Sequence, residues 1–270
     1  MHGSDGFRDE LDAALGIAEK AGKILVSQYE HPVDVEEKLD GTLVSRADRE
    51  AAQFITEQLQ GLFPEHAILN EELRDDGSRF RLRLCWVVDP LDGTKEFLNK
   101  VGDFGVLLGL LEDFEPVLGV TFKPLKDELA YAVRGQGAYL RDSAGTHALR
   151  VSDVADIHVI VSRSRQNAEL DALLAAIQPA QVSYMGGSLK TVEVARGRAN
   201  LFLCPPSSVM HLWDLCAPSA ILAEAGGCLT DVYGRPTDYS QAQTANRRGV
   251  VAASPVIHDA VIRRLAAVLG

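Results

Sequence analysis

The chain has 270 residues, 46% of them hydrophobic and 24% charged, a composition that excludes a disordered or low-complexity protein. Its 27 lysines and arginines face 38 aspartates and glutamates, for a net charge of −11. This excess of acid argues against general nucleic-acid binding, because a phosphate backbone needs a basic partner. A small phosphorylated ligand remains compatible with it if metal ions supply the positive charge. The length fits one large domain or two smaller ones.

Targeting and redox features are few. No segment approaches the roughly 18 unbroken apolar residues of a membrane span, and the polar N-terminus lacks a secretory pattern. The four cysteines lie far apart, with no Cys-x-x-Cys pair. A disulfide framework is not expected in a chain of this size without an export signal. We therefore predict reduced cysteines, no integral membrane segment and a cytoplasmic location.

In the first half, apolar residues at helical spacing predict helices over 8–29 and 48–60, with a turn at 39–42 between them. An apolar run predicts a strand over 82–88 that ends at Asp89-Pro90, since proline lacks a backbone donor. Three further strands and one turn complete this half: strands at 104–111, 116–122 and 128–133, and a turn at 112–115.

After about residue 150, short strands alternate with helices. The pattern predicts strands at 157–162 and 200–204, and helices at 168–177, 187–197 and 214–225. No long Pro/Gly/Ser linker and no repeat is present. We therefore predict two subdomains, 1–150 and 151–270, with a cleft between them, because such clefts frequently bind ligands.

The strongest motif is Asp89-Pro90-Leu91-Asp92-Gly93-Thr94, at the end of the apolar strand. It delivers two carboxylates three positions apart, followed by a glycine that lets a ligand approach the backbone. A helix that begins after Gly93 would offer free N–H groups to an anion. Because carboxylates repel an anion unless a cation lies between them, the motif predicts a divalent metal with a phosphate. The alternative, an acidic surface turn, is disfavoured by the apolar strand before it.

Three other acidic residues lie at the ends of apolar elements. Glu71 follows the apolar run 67–69, while Asp48 and Asp214 lie at predicted helix starts. Taken singly, each has a structural explanation, because aspartate caps helices and glutamate after a strand is commonly solvated. Together they suit Mg²⁺, which prefers oxygen ligands, and a two-metal centre. Cysteine and histidine are not spaced for zinc.

Two other motifs are imperfect. Asp-x-x-Asp-Gly-Thr is one residue longer than the Asp-x-Asp-Gly-Thr nucleophile motif of haloacid-dehalogenase-type phosphatases, so a covalent aspartyl-phosphate is the weaker mechanism. The segment 134–138, Arg-Gly-Gln-Gly-Ala, lacks the third glycine of a dinucleotide-binding fingerprint and predicts a turn.

The Asp89–Thr94 motif, with Trp213-Asp214 and a helix ending in Gly226-Gly227, resembles the magnesium-dependent, lithium-sensitive inositol monophosphatase superfamily. Its 3′(2′),5′-bisphosphate nucleotidase branch, the bacterial sulfate-assimilation type, is similar in three more segments: Lys95-Glu96-Phe97, Val161-Ser162-Arg163-Ser164 and Gly187-Ser188-Leu189-Lys190. The resemblance extends from the first helix to about residue 240. It implies an α/β (α+β) fold, a layered α-β-α-β-α sandwich of the sugar-phosphatase type.

The resemblance also implies roles for the acidic residues. The implied metal ligands are four carboxylates and one backbone carbonyl: Glu71, Asp89, Asp92, Asp214 and Leu91. Asp48 and Thr94, with Glu71 also counted as catalytic, would orient and deprotonate the attacking water. The first subdomain would then carry most ligands of about two or three Mg²⁺ ions, and the second would contribute Asp214 and substrate contacts.

The implied substrate contacts come from both subdomains: Gly93, Thr94, Ser164, Arg165, Gly187, Ser188 and Lys190. Lys190 would meet a second phosphate, or it is a solvated lysine at a helix start. Two positions depart from the branch. Arg165 stands where the branch often has histidine. The branch often has an arginine several residues before Trp213-Asp214, but 204–210 contains no basic residue. Arg165 is a candidate to replace that missing arginine. His211 is either a substrate contact or a packed residue.

We therefore expect a Mg²⁺-dependent phosphomonoesterase that hydrolyses adenosine 3′,5′-bisphosphate to AMP and phosphate by direct attack of a metal-activated water. An inositol or other sugar-phosphate phosphatase is the alternative within the class, and a catalytically silent, metal-dependent binding protein is the alternative outside it. A silent protein would have little reason to keep the whole set of candidate site residues, which are Asp48, Glu71, Asp89, Asp92, Thr94 and Asp214. The expected partner is a small phosphorylated substrate, not a nucleic-acid polymer. A homodimer stays open, because the superfamily includes monomers and dimers.

Overall fold

Two helices begin the fold of this computed structural model, which describes residues 6–31, 35–37, 43–187 and 189–269. Helix α1 spans Arg8–Tyr29 and α2 spans Arg46–Leu62, so both predicted helices are confirmed. Between them β1 (Val35–Glu37) pairs with β2 (Leu43–Ser45) in an antiparallel ribbon. The predicted turn at 39–42 lies outside the described residues.

The first sheet has seven strands in sequential order. They are β3 (Ala67–Asn70), β4 (Leu84–Asp92), β5 (Gly105–Glu112), β6 (Glu115–Lys123), β7 (Glu128–Val133), β8 (Ala138–Asp142) and β9 (Gly145–Ala148). A 3₁₀ turn, Ser78–Phe80, precedes β4, and the short helix α3, Thr94–Leu98, follows it. β3 and β4 are parallel, and the other described neighbours are antiparallel. The four predicted strands are thus confirmed, as is the turn at 134–138, whereas β8 and β9 were not predicted.

The prediction that the strand ends at Asp89-Pro90 is wrong. β4 continues to Asp92, and its register against β5 shifts between Asp89 and Asp92. Proline fits inside such a bulge, because the extra residues there do not donate to the ladder. The bulge interrupts the alternation of side chains at the point where the strand delivers its carboxylates.

The second sheet has five strands in the order β11-β10-β12-β16-β14. The elements of this half are β10 (His158–Ser162), α4 (Ala168–Ile177), β11 (Gln181–Met185), α5 (Lys190–Ala195), β12 (Leu201–Cys204), β13 (Met210–His211), α6 (Leu212–Glu224), β14 (Cys228–Thr230), β15 (Ala245–Asn246), β16 (Val250–Ala253) and α7 (Pro255–Leu269). The predicted helix over 187–197 is shorter than expected. Gly187 has a φ of +62°, which is left-handed and cannot continue a right-handed helix.

The elements stack in five layers. α1 and α2 pack on one face of the first sheet, α5 and α6 lie between the two sheets, and α4 and α7 cover the outer face of the second. The predicted α-β-α-β-α sandwich is confirmed, while the division at residue 150 stays a prediction. All four cysteines are free. In the part of the chain that the structure describes, no helix has the length and apolar character needed to cross a membrane.

Helix α6 approaches the first sheet unusually closely, because two glycines face it. A Cβ at Gly109 would lie 2.5 Å from Cys216 Sγ, and one at Gly119 would lie 2.2 Å from the Ala217 carbonyl oxygen. Neither position has room for a side chain. The two glycines therefore set the distance between the sheet and the helix that begins with Leu212, Trp213 and Asp214.

A buried ion pair joins the first sheet to α5. Lys123 Nζ, at the end of β6, lies 2.8 Å from Glu193 Oε1, and both side chains are largely buried. Arg196 Nη1 adds a contact of 3.0 Å to Glu128 in β7. Burial alone would raise the pKa of Glu193, but Lys123 and the nearby Arg196 and Arg198 hold that pKa below its ordinary value.

We expect Glu193→Gln to lower the free energy of unfolding by about 2 kcal/mol at neutral pH, because it leaves the buried Lys123 without its closest negative partner. Glu50→Gln, in the exposed pair with Arg46, should cost less than about 0.5 kcal/mol. Urea unfolding measures both. The folded-state pKa of Glu193 is lowered, so the difference from wild type should shrink as pH falls below 4.5 and through that pKa. Equal losses in the two variants would contradict this account.

Candidate active site

A cleft of about 990 Å³ lies where the end of β4 meets the segments after β10 and before α6. Both halves of the chain line it. Glu71 and the residues from Leu91 to Glu96 come from the first half, and the wall segment 162–167, apart from Arg163, comes from the second. The volume suits a ligand larger than a single phosphate.

An acidic cluster lines part of the cleft. Asp89, Asp92 and Asp214 each bring an oxygen within 4.8 Å of the others, although Asp214 follows Asp92 by more than a hundred residues. Local backbone hydrogen bonds hold Asp89 and Asp214: Asp89 Oδ1 accepts the Leu91 N–H at 3.0 Å, and Asp214 Oδ2 accepts the His211 N–H at 2.6 Å. Glu71, directly after β3, also lines the cleft.

Burial first, and charge repulsion second, act against ionisation of Asp89 in this cluster. Burial raises the pKa of Asp89 well above its ordinary value, and the negative Glu71, Asp92 and Asp214 raise it further. Burial also raises the pKa of Asp214, although the His211 N–H and the positive Arg165 and Lys190 oppose that shift. Every donor here is oxygen, which is what a hard divalent cation prefers. The residues therefore fit a divalent metal ion, whose charge would relieve the repulsion.

Asp48 and Thr94 meet beside the cluster, although they are far apart in sequence. Thr94 Oγ1 lies 3.0 Å from Asp48 Oδ1 and 3.2 Å from the Leu91 carbonyl oxygen. Asp48 is buried, and its Oδ2 accepts hydrogen bonds from the backbone N–H and the hydroxyl of Ser45. Ser45 was missed as a supporting residue, but the capping pattern Ser45-x-x-Asp48 was visible in the sequence.

A helix does begin after Gly93, as the motif predicted. Gly93 has a φ of +86°, and a Cβ there would lie 2.6 Å from the Asp103 carbonyl oxygen, so the position requires glycine. Thr94 is the first residue of α3. The first-turn N–H groups of a helix have no carbonyl within the helix to bond, so they can bind an anion.

The wall segment contributes Ser164 and Arg165 to the cleft lining. Arg165 Nη1 donates to the Val209 carbonyl at 2.6 Å. Close by, Asn167 Nδ2 donates to Ser207 Oγ at 2.9 Å. This second contact was missed because forty positions separate the two residues, and no local pattern signals it.

Gly187 and Lys190 lie where the wall approaches the cluster. A Cβ at Gly187 would lie 2.4 Å from Asp92 Oδ2. Lys190 lines the cleft, but its side chain is buried, and its ammonium donates to the Gly187 carbonyl and lies 5.2 Å from the centre of the Phe202 ring. Burial lowers its pKa. The alternative interpretation of Lys190, a solvated lysine at a helix start, is therefore wrong. Ser188 lies outside the described residues.

His211 and Trp213 form a stacked pair on the cleft wall, with ring centroids 4.6 Å apart and planes 2° apart. His211 Nδ1 lies 3.2 Å from Thr244 Oγ1. His211 is therefore packed against Trp213 and also lines the cleft. Packing does not exclude a contact with the substrate, which stays a prediction.

The sandwich, the acidic cluster and the adjacent helix start define the class of the protein as a phosphatase, which is a hydrolase. The family model of the inositol monophosphatase family matches residues 8–269, so the chain belongs to that family. It is 34% identical over 238 residues, or 85% of this chain and 94% of the relative, to "3'(2'),5'-bisphosphate nucleotidase CysQ" of Escherichia coli K12.

Two further comparisons agree. The chain is 28% identical to the inositol-1-monophosphatase of Bacillus subtilis strain 168, covering 94% of each chain. The solved structure of a Thermotoga maritima IMPase superposes with a TM-score of 0.83 at 25% identity, covering 97% of this chain and 98% of that one. The fold and family expected from the motifs are confirmed.

In EDTA, we expect Asp89→Asn to raise the free energy of unfolding at pH 7 by about 1 kcal/mol, because a neutral amide replaces a carboxyl group whose ionisation is disfavoured by burial and by the neighbouring carboxylates. Asp113→Asn, in the exposed turn after β5, should change it by less than about 0.5 kcal/mol. Urea unfolding of the metal-free proteins measures this. A destabilised Asp89→Asn protein would mean that Leu91 and its other neighbours depend on the charged carboxylate.

Proposed function

We propose that the protein is a Mg²⁺-dependent phosphomonoesterase that hydrolyses adenosine 3′,5′-bisphosphate to AMP and phosphate. The observation that carries this proposal is the meeting of Asp89, Asp92 and Asp214 within 4.8 Å, in a cleft that Arg165 also lines. The similarity to a bisphosphate nucleotidase over most of both chains supports the choice of substrate.

The cation would be held by the carboxylates of Glu71, Asp89, Asp92 and Asp214 and by the Leu91 carbonyl. This all-oxygen set supports Mg²⁺ over softer metals. When bound, Mg²⁺ lowers the pKa of water and offsets the charge of the phosphate. Its presence would also return the raised pKa values of Asp89 and Asp214 toward the ionised range.

Asp48 and Thr94 would handle the proton of the attacking water. The Thr94 hydroxyl donates to Asp48 Oδ1, which leaves lone pairs on Oγ1 to accept a hydrogen from water. Ser45 donates both its N–H and its hydroxyl to the other oxygen of Asp48, so the carboxylate is held in one orientation. The backbone N–H groups of Gly93 and Thr94 would bind the equatorial oxygens of the phosphate.

Arg165 is the side chain we assign to the second phosphate. The ammonium of Lys190 already donates to backbone carbonyls. The guanidinium of Arg165 donates through Nη1 to Val209 and has further N–H groups in the same plane, so it can bind a phosphate as well. Ser164, Gly187, Ser188 and Lys190 stay predicted substrate contacts, with Lys190 shaping the loop near the substrate.

An inositol or sugar-phosphate phosphatase is the second candidate, supported by the similarity to the inositol-1-monophosphatase of Bacillus subtilis. It requires the same acidic cluster and the same attack by water, but not Arg165. A catalytically silent protein would not need the Asp48–Thr94 contact. Lithium sensitivity, a cytoplasmic location and a homodimer also remain predictions.

Phosphate release with Mg²⁺ tests the proposal on adenosine 3′,5′-bisphosphate, inositol 1-phosphate and fructose 1,6-bisphosphate. We expect kcat/KM to be highest for the adenosine compound, by about tenfold or more, which is about 1.4 kcal/mol of transition-state preference. Asp89→Asn serves as the blank. A preference for inositol 1-phosphate would favour the second candidate.

Arg165→Met in the same assay separates the two candidates. It should lower kcat/KM for adenosine 3′,5′-bisphosphate by about tenfold and leave inositol 1-phosphate within about twofold. Arg198→Met, at an exposed position outside the cleft lining, is the matched control. An equal loss on both substrates would remove Arg165 as a specificity residue.

Thr94→Ala should lower kcat by about a hundredfold or more while changing KM by less than about threefold, because the hydroxyl orients water and does not bind the substrate. Thr94→Ser, which keeps the hydroxyl, should retain most of the rate. Steady-state kinetics on the preferred substrate measure both. A Thr94→Ser protein as slow as Thr94→Ala would contradict the role of the hydroxyl.

A further inference from the structure

Arg163 has no role in the chemistry proposed above, although it lies in the middle of the segment Val161–Ser164. Its neighbours Ser162 and Ser164 line the cleft, and Arg163 does not. Its guanidinium instead lies against the first half of the chain, where Nη1 is 2.8 Å from Asp103 Oδ2. The ion pair therefore crosses from the wall segment to the loop between α3 and β5.

Asp103 contacts both sides of the cleft. Its Oδ2 also accepts the Gly186 N–H at 3.4 Å, from the segment that follows β11. Its carbonyl oxygen lies against Gly93, at 2.6 Å from the position a Cβ would take there. One residue thus contacts the turn that carries Asp92 and Thr94 and, through its side chain, two segments of the second sheet.

Arg163 is fixed to the same segment from the other direction. Its N–H donates to the Met185 carbonyl at 3.1 Å, and Nη2 lies 3.4 Å from the Tyr184 carbonyl. One residue beyond Gly186, the Cβ position of Gly187 is 2.4 Å from Asp92 Oδ2. These contacts join the wall segment, the end of β11 and the acidic cluster into one chain of direct contacts.

We propose that the Arg163–Asp103 ion pair is a positioning device that sets the distance between the acidic cluster and the wall that carries Arg165. The inference rests on the proposed function, in which one phosphate binds at the cluster and the other at Arg165. A substrate with two phosphates needs its two binding positions at a fixed separation, whereas a monophosphate held at the cluster does not. Because the Arg163 side chain is 43% exposed, the pair contributes little to stability, and its effect lies in geometry.

The test compares Arg163→Met, Arg163→Lys and Asp103→Ala with wild type. For adenosine 3′,5′-bisphosphate we expect Arg163→Met and Asp103→Ala to raise KM by about tenfold with kcat lowered by less than about threefold. Inositol 1-phosphate kinetics should change by less than about twofold. Arg163→Lys keeps the charge and should recover most of the KM. A matched control is Arg83→Met, since Arg83 pairs with Glu112 with similar exposure at the far end of β4.

Hydrogen exchange measured by mass spectrometry provides a readout that needs no substrate. Arg163→Met and Asp103→Ala should speed exchange in 162–167 and 183–187 and leave β3 and β4 unchanged. If wild type fails to hydrolyse the bisphosphate but this local change occurs, the proposed substrate fails and the positioning role stands. Unchanged exchange, or KM within twofold of wild type in Arg163→Met where the bisphosphate is hydrolysed, would overturn the positioning role. A thermal midpoint lowered together with uniformly faster exchange would also overturn it, because the pair would then be a general stabiliser.

Discussion

The site depends on the burial of several carboxylates together, which Arg165 and Lys190 offset only in part. Asp89 and Asp92 are buried at a bulge, and Asp214 is brought against them by a helix from the other half of the chain. Burying several carboxylates together disfavours their charged forms, so the fold must hold them in place by other means. It does so with ordinary backbone hydrogen bonds and with the packed layers behind them. Binding of a divalent cation would therefore recover stability that is lost when the carboxylates are buried together.

The layered architecture determines how accurately the cluster is built. Asp214 lies in the first turn of α6, and α6 rests on Gly109 and Gly119 of the first sheet, where no side chain separates helix from strand. Gly109 lies in β5 and Gly119 in β6, and β5 is paired with β4. The close packing therefore sets the position of α6 relative to the strand that carries Asp89 and Asp92. Asp48 has a parallel position, in the first turn of α2, and the Thr94 hydroxyl reaches it from the start of α3. Three helix starts thus converge on the end of one strand.

Much of the fold and of the cluster could be predicted from the sequence, because the relevant signals are local. Helical spacing gave α1, α2 and α4, and continuous apolar runs gave the central strands. The Asp89–Thr94 motif identified the cluster before any geometry was known. Contacts between distant segments left no such signal: Asn167 with Ser207, and Gly109 with Cys216, are matters of three-dimensional packing. The strand end was predicted wrongly because a proline normally ends a strand, and only the pairing with β5 reveals the bulge.

The placement of Asp214 also has a consequence for the order of events during synthesis. The carboxylates of Glu71, Asp89 and Asp92 leave the ribosome well before α6 does, and α6 packs against a second sheet that contains the late strand β16, Val250–Ala253. A chain that ends before α6 therefore contains Glu71, Asp89 and Asp92 but lacks Asp214. The three-carboxylate cluster is complete only after α6 has been made and packed between the two sheets, so metal binding there would be a late event in folding.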